Sequence, residues 1–471
     1  TFYRAEKDEV VRIVAQRTRT RLGYPNKGFP KARCRFDNSR SYSSNVSLLQ
    51  HLQSRIKADG PITVAEYMKQ VLVNPAMGYY INKDVFGTKG DFITSPEISQ
   101  MFGELVGIWF VNEWMQIGSP SSLQVVELGP GRGTMADDML RVFSKFPQMK
   151  ESVTLHLVEV SPTLADIQQR KLTGSADSGS ISSDTISGPF GSNEAHCYKS
   201  CKSKYGPEVF WYRSLSDVPR EKVSGFIAHE FFDALPIHKF QKTQHGWREV
   251  LVDFDLNKGS LSFVLSPTPT AATVAYLKMS ETDERNHIEV SPEAGVVVQE
   301  LADRLQSEGG FALIADYGHN GDKTDTFRGF KNHKLHDVLV EPGSADLTAD
   351  VDFSYLTKMA GKNVQTFGPV TQNEFLHNMG IGVRLQAGTT TSSRKGFLDS
   401  NFQHLMENPD AASECDIGSA EGFDIRVQGA YESRSDGRKV QILGHITTQG
   451  SGLQSGRFYI TAVKLINVTY L

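Results

Sequence analysis

Long apolar runs are missing from this sequence of 471 residues. A membrane-spanning helix needs roughly 20 consecutive apolar residues. The nearest stretch, LVGIWFV at Leu105 to Val111, falls far short, so no membrane span is expected. Cysteine is scarce. Cys34, Cys197, Cys201 and Cys415 are too few and too scattered to staple a chain of this length, which points to a reducing compartment. HCYKSC, His196 to Cys201, has no second ligand pair at zinc-site spacing, so no metal is expected. An excess of charge of one sign is also absent, with 50 lysines and arginines against 54 aspartates and glutamates, and with it goes the argument for a nucleic-acid partner. No internal repeat is evident. What is present is a 39% hydrophobic composition, enough to bury the cores of two or three domain-sized units. Nothing in these numbers fixes an oligomeric state.

Charge is unevenly spread. Val10 to Phe36 holds eight basic residues and no acid, then runs into the serine-rich NSRSYSSNVS, so a mitochondrial transit segment or a disordered basic tail is expected over 1–45. A helical region is expected over 46–120. Leu48, Leu49, Leu52 and Ile56 share a face that stops at Gly60, and Thr63 with Glu66 spells a capping box ahead of Val64, Tyr67, Met68 and Val71. After a glycine-bearing loop comes a helix with Ser95 as expected N-cap, Pro96 as first residue, and Ile98, Met101, Phe102, Leu105 and Trp109 as buried stripe.

Short apolar runs follow at LQVVEL, LHLVEV, GFIAHE and FALIADY, alternating with helix-permissive stretches over 121–384. That alternation is the mark of an open α/β sheet. REVLVDF and LSFVL, joined across a polar turn with Gly259, predict an inserted antiparallel hairpin. Two regions break the pattern: 174–204, rich in serine and glycine, is expected to be a disordered insertion, and 385–471 is an irregular tail with only a terminal hairpin, KVQILGHI and RFYITAVKLI, standing out.

VVELGPGRGT, Val125 to Thr134, carries the first chemical signal. A nicotinamide or flavin turn asks for glycine at position 134, which is Thr134 here. The glycines fall instead at Gly129, Gly131 and Gly133, behind Glu127 at the strand end. Alternate glycines suit a backbone that lies flat against a ligand without a pyrophosphate, the pattern of class I S-adenosylmethionine enzymes. A glycine loop alone is a weak signal. The next strand ends in Glu159, where a carboxylate can accept from both ribose hydroxyls, at about 1.5 to 3 kcal/mol for each charge-assisted bond.

IAHEFFDALPIHKF supplies the third piece, at the end of a later strand where open α/β sheets place reactive groups. If the acceptor is an arginine, bringing its permanent cation to about 4 Å from the donor sulfonium costs roughly 4 kcal/mol at an effective dielectric near 20. Glu230, with Asp233 second, can offset that repulsion and orient the guanidinium by paired hydrogen bonds. His238 is a candidate to take the proton released on transfer, although a lone histidine beside an apolar run is more often structural. The alternative for the stretch is an N-cap and turn, which accounts for Asp233 better than for Glu230.

Together, GYYINKDVFGTKGDFITSPEISQMFGELVGIW, VVELGPGRGTMADDMLR, VEVSP, IAHEFFDALPIHKFQ, IADYGHNG and GSADLTADVDFSYL closely resemble the MidA-like family of mitochondrial protein arginine methyltransferases, over about Ser47 to Arg384. The resemblance implies an α/β class I S-adenosylmethionine-dependent methyltransferase (Rossmann-like) sheet with an N-terminal helical extension. It implies S-adenosyl-L-methionine as methyl donor, the mitochondrial matrix as location, and symmetric dimethylation of an arginine in a core subunit of respiratory complex I. The donor site would comprise Glu127, Gly129, Gly131, Gly133 and Glu159. The GDFITSPE loop, Gly90 to Glu97, with Thr94, Ser95 and Glu97, would close over it. Asp316 and Tyr317 would border the cleft. Beyond GPVTQNEFLHNMGI, whose Thr371 and Glu374 form another capping box, the tail departs from the family's pattern. A non-catalytic assembly chaperone of the same fold, and a methyltransferase with another acceptor, remain as alternatives.

Overall fold

The computed structural model describes residues 47–81, 94–174, 197–220, 222–277, 285–382, 384, 432–433, 439–440 and 457–465. Helix α1 (Leu48–Asp59) begins with a complete capping box between Ser47 and Gln50, ends at Gly60, and buries Leu48, Leu52 and Ile56. Strand β1 (Ile62–Thr63) leads into α2 (Val64–Val73). The Thr63 hydroxyl accepts from the Glu66 amide at 3.0 Å, but Glu66 does not return the bond, because its carboxylate turns to the Arg55 guanidinium.

The single helix expected from Ser95 is two helices. In α3 (Ser95–Ile98) the N-cap is Thr94, and Ser95 and Pro96 lie inside the first turn. Ser99, extended at φ −151°, breaks the run and caps α4 (Gln100–Gln116) by accepting from the Met101 amide at 3.3 Å. The predicted stripe from Ile98 to Trp109 is buried throughout.

The chain continues through β2 (Leu123–Leu128), α5 (Thr134–Phe143), α6 (Pro147–Ser152), β3 (Val153–Val158), α7 (Pro162–Thr173), β4 (Lys199–Lys202), β5 (Glu208–Tyr212) and β6 (Ser224–His229). Next come β7 (His238–Thr243), β8 (Gly246–Asp255), β9 (Ser260–Leu265), α8 (Ala271–Tyr276), β10 (His287–Val290), α9 (Pro292–Glu308) and β11 (Gly310–His319). The last described elements are β12 (Arg328–Lys331), β13 (Lys334–His336), β14 (Asp346–Thr348), β15 (Val351–Asp352), α10 (Phe353–Ala360), β16 (Val364–Thr371), α11 (Gln372–Asn378), β17 (Glu432–Ser433), β18 (Lys439–Val440) and β19 (Arg457–Leu465).

The main sheet runs β16-β19-β11-β6-β2-β3-β5-β4. From β5 to β11 neighbouring strands are parallel, as the apolar runs predict. Alternate residues feed two cores: Leu123 and Val125 of β2 enter one face, Val126 and Leu128 the other. Thr371 and Glu374 make the capping box expected at the start of α11.

β19 overturns the terminal-hairpin expectation. RFYITAVKL pairs antiparallel along β11, from Lys464 opposite Phe311 to Arg457 opposite Gly318, and its other edge pairs with β16. β11 sends Phe311, Leu313 and Ala315 into one core and Ala312 and Ile314 into the other, so its edge is buried and needs a partner. Ile460, Ala462 and Val463 extend both cores. Of KVQILGHI only Lys439 and Val440 are described, paired with Ser433 and Glu432. The insertion expected over 174–204 is also shorter than its composition implies, since Gly174 caps α7 and β4 pairs with the edge of β5. Residues 175–196, like the basic segment 1–45, lie outside the described residues.

The hairpin of β8 and β9 is present, with Val250 opposite Leu265, as part of a larger antiparallel sheet. Its order is β1-β8-β7-β10, with β9 on the other edge of β8. α1 and α2 lie on this sheet: Leu52, Ile56, Val64, Met68 and Val71 share one core with Ile237, Val250 and Val252. The N-terminal helices and the insertion therefore form one cap, which Leu347 of the small sheet β13-β12-β14 also joins. No described helix is long and apolar enough to cross a membrane.

Candidate active site

At the end of β2 the chain turns through Gly129, Gly131 and Gly133 with φ of 63°, 52° and 74°. Side chains rarely tolerate that region. At Gly129 space forbids one as well, because a Cβ would lie 2.9 Å from the Phe231 ring. The Gly129 amide donates to the Val158 carbonyl at 3.1 Å, which ties the turn to the end of β3. Thr134, where a dinucleotide turn would need glycine, is the first residue of α5, and its hydroxyl accepts from Lys171 Nζ at 2.6 Å. Glu127 is buried beneath the turn. Its Oε2 has no hydrogen-bond partner among the described residues, and burial pushes its carboxyl up to about 8.

Glu159 follows β3 and lines the cavity beside Gly131. Its Oε1 accepts from the Ser161 amide at 2.7 Å and its Oε2 from Gln168 Nε2 at 3.0 Å. Burial pushes the carboxyl up to about 7, against the lowering effect of those two donors. A carboxylate oxygen accepts more than one bond, so both retain capacity for ribose hydroxyls.

The segment after β6 carries the acids. Glu230 sits at φ 48°, unusual for a side-chain-bearing residue, and its amide donates to the Ala315 carbonyl at 3.0 Å. Asp316, fully buried in β11, organises this segment. Its Oδ2 accepts from the amides of Phe231 (3.1 Å), Phe232 (2.9 Å) and Asp233 (3.3 Å), and its Oδ1 from the Tyr317 amide (2.8 Å). The loop bearing Glu230 and Asp233 is thereby wrapped around one side chain. Burial, then the Asp233 carboxylate, raises Glu230 well above the ordinary carboxylate range. Burial raises Asp233 to about 6, opposed chiefly by the Arg328 guanidinium.

A cavity of about 560 Å³ joins these pieces, within the usual range for a small-molecule site. Gly129, Gly131, Glu159, Glu230, Asp233, Asp346, Tyr80 and Arg328 all line it. The Tyr80 hydroxyl donates to Asp346 Oδ1 at 2.6 Å, and Arg328 Nη1 donates to Asp350 Oδ1 at 2.6 Å. Behind the turn is a smaller chamber of about 40 Å³, bordered by Thr94, Glu97, Glu127, Gly131, His229 and Glu230. Burial holds the His229 imidazole down to about 3, so it is neutral there.

Thr94 and Glu97 line that chamber beside the glycine turn, while the Ser95 hydroxyl donates to Gln372 Oε1 at 3.2 Å. Gly90 to Ile93 of the covering loop lie outside the described residues. Tyr317 lines the cavity and Asp316 supports it from below. His238 is not brought to the site. It lies on β7 in the cap, with Nδ1 2.6 Å from Glu249 Oε1 and its ring stacked on Phe240, so the proton-acceptor role expected of it is dropped. Among the described residues no group of three or more His, Cys, Asp and Glu is arranged to hold a metal, and Cys197 and Cys201 are not in disulfides.

Sequence reading missed Tyr80, Asp346, Arg328 and Gln168. The first three lie on a loop and short strands without periodicity. Gln168 did leave a signal, a polar residue between Leu164 and Leu172 on the buried face of α7.

Five parallel strands, an antiparallel strand placed next to last, a glycine turn at the end of the first strand and an acid at the end of the second define a class I S-adenosylmethionine-dependent methyltransferase. The cradle at Gly129, closed to any side chain, and the two-oxygen acceptor at Glu159 fit that donor. The chain belongs to the family described as "Putative S-adenosyl-L-methionine-dependent methyltransferase", whose profile matches residues 105–370. It is 55% identical over 379 residues to "Protein arginine methyltransferase NDUFAF7, mitochondrial" of Danio rerio, covering 79% of this chain and 86% of that protein. It is 54% identical over 372 residues to the Homo sapiens protein of the same name, covering 78% and 81%. Among solved structures, a superfamily member from Burkholderia thailandensis with S-adenosyl-homocysteine bound superposes with a TM-score of 0.61 at 25% identity, covering 77% of this chain and 88% of that one.

Proposed function

We propose that this methyltransferase acts on protein arginine, by symmetric dimethylation of a core subunit of respiratory complex I in the mitochondrial matrix, and that complex I assembly depends on it. The observation that carries the arginine reading is the gathering of three acids, Glu230, Asp233 and Asp346, in the wall of the cavity that Glu159 also lines. A guanidinium presents a planar fork of N–H donors that matches such a cluster of acids. The relatives' names, with "arginine" and "mitochondrial", and the basic segment from Val10 to Phe36 support the finer assignment.

The bound donor supplies a methyl group on a sulfonium centre. The chain's own residues do the rest. Glu230 and Asp233 orient the guanidinium and offset cation repulsion of roughly 4 kcal/mol. Asp316 holds their loop rigid through its amide bonds. Glu230, ionised once the guanidinium cation sits beside it, accepts the proton that leaves the nitrogen after transfer.

Recombinant protein incubated with donor and mitochondrial extract should place symmetric dimethylarginine on a complex I core subunit, read by mass spectrometry. Glu230→Gln should lower turnover by about a thousandfold and leave the S-adenosylhomocysteine dissociation constant within about threefold. Methyl groups on lysine or on a small molecule, or full complex I assembly with Glu230→Gln, would sink the proposal.

A further inference from the structure

Gln168 stands apart on α7. It is fully buried, and its amide reaches the ends of three neighbouring strands. Nε2 donates to the Gly131 carbonyl at 2.7 Å and to Glu159 Oε2 at 3.0 Å, while Oε1 accepts from Trp211 Nε1 of β5 at 2.8 Å. Its methylene groups touch the turn as well, since a Cβ on Gly133 would lie 3.2 Å from Gln168 Cγ. A leucine would fill this space on a helix face already carrying Leu164 and Leu172. A buried amide is tolerated only when its bonds are made, and here both donor hydrogens and the oxygen are used.

The backbone already ties the turn to the end of β3, but it leaves the Glu159 side chain free to turn. The glycine turn follows β2 and Glu159 follows β3, and a glutamate side chain can rotate about three bonds. With the Ser161 amide on Oε1 and Gln168 on Oε2, Glu159 has one orientation, set relative to the Gly131 carbonyl by a single amide group. Trp211 in turn prevents that amide from flipping.

We infer that Gln168 is a positioning residue for the donor. It presets the Glu159 carboxylate and the glycine turn as one unit, so that the ribose hydroxyls meet an acceptor already aimed. The inference rests on the reading of Glu159 as the ribose acceptor.

Calorimetry with two probes tests both and tells them apart. The probes are S-adenosylhomocysteine and its analogue lacking both ribose hydroxyls. The wild type should prefer S-adenosylhomocysteine by roughly thirtyfold or more, since two charge-assisted bonds are involved. Gln168→Leu should weaken S-adenosylhomocysteine but barely affect the analogue, reducing the preference to about threefold. Gln168→Glu keeps the shape and the Trp211 bond but loses both donated bonds, and it carries the same comparison if the leucine variant does not fold. A merely structural role would weaken both probes equally. An unchanged preference in a folded Gln168 variant overturns the inference, whereas no preference in the wild type overturns the Glu159 reading itself.

Discussion

Glu159 and Asp346 line the same cavity and are held there by different means. The sheet wall is fixed largely by backbone: the Gly129 amide donates to the Val158 carbonyl and the Ser161 amide donates to Glu159. The cap wall is fixed by side chains. Tyr80 holds Asp346, while Arg328 and Lys323 share Asp350. Backbone geometry suits a ligand of invariant shape, such as the donor. Charged side chains that can shift suit a polypeptide acceptor, whose reactive group is constant but whose flanks are not.

If the walls are separable, damage to one should spare the other. The largest effect belongs to Gly129→Val, which places a β-branched residue at positive φ against Phe231. Calorimetry should show S-adenosylhomocysteine binding weakened by more than about a hundredfold. Binding within threefold of the wild type would break the comparison at its firmest point.

The walls also titrate. On the proposed roles, Glu230, raised well above the ordinary carboxylate range, and Asp233, at about 6, must both be ionised to hold a guanidinium. Methyl transfer should therefore decline as pH falls toward about 6. Stability runs the other way. Glu127 ionises near 8 when folded and in the ordinary range when unfolded, so between those values the folded state binds the extra proton and stability drops as pH rises. Glu159, Asp233 and Glu230 add slopes of the same sign, so Glu127→Gln should lessen the decline and raise stability at pH 8 by a few kcal/mol, measured by denaturant titration at pH 5 and 8. A slope unchanged in the variant would place the buried proton elsewhere.

Tyr80→Phe is the mildest change. It removes one hydrogen bond from Asp346 without moving the sheet wall, so KM for the acceptor should rise a few fold, at about 1 kcal/mol, with donor affinity constant. An altered donor affinity would show that the walls communicate.

The same contrast governs what could be read from the sequence. The sheet wall was legible because strand ends follow apolar runs, and the glycines at 129, 131 and 133 and the acids Glu159, Glu230 and Asp233 all stand at such ends. The cap wall was not. β12, β13 and β14 are too short to show a period, and Tyr80 and Asp346 meet only once α2 folds onto the antiparallel sheet. His238 failed as a candidate for a related reason: proximity in sequence to Asp233 says little after Pro236 sends the chain into β7. The closing strand was misassigned because RFYITAVKL reads equally as half of a local hairpin or as a distant partner. Only the unsatisfied edge of β11 decides between them.

β19 has a kinetic consequence. Its partners β11 and β16 precede it by a long excursion of chain, so the loop-closure entropy of that excursion opposes the final pairing. Until it docks, β11 presents an apolar strand with open amides and carbonyls, the kind of surface that chaperones shield and that aggregates otherwise. The edge of β11 in the donor-binding sheet is therefore closed by the described strand that is made last.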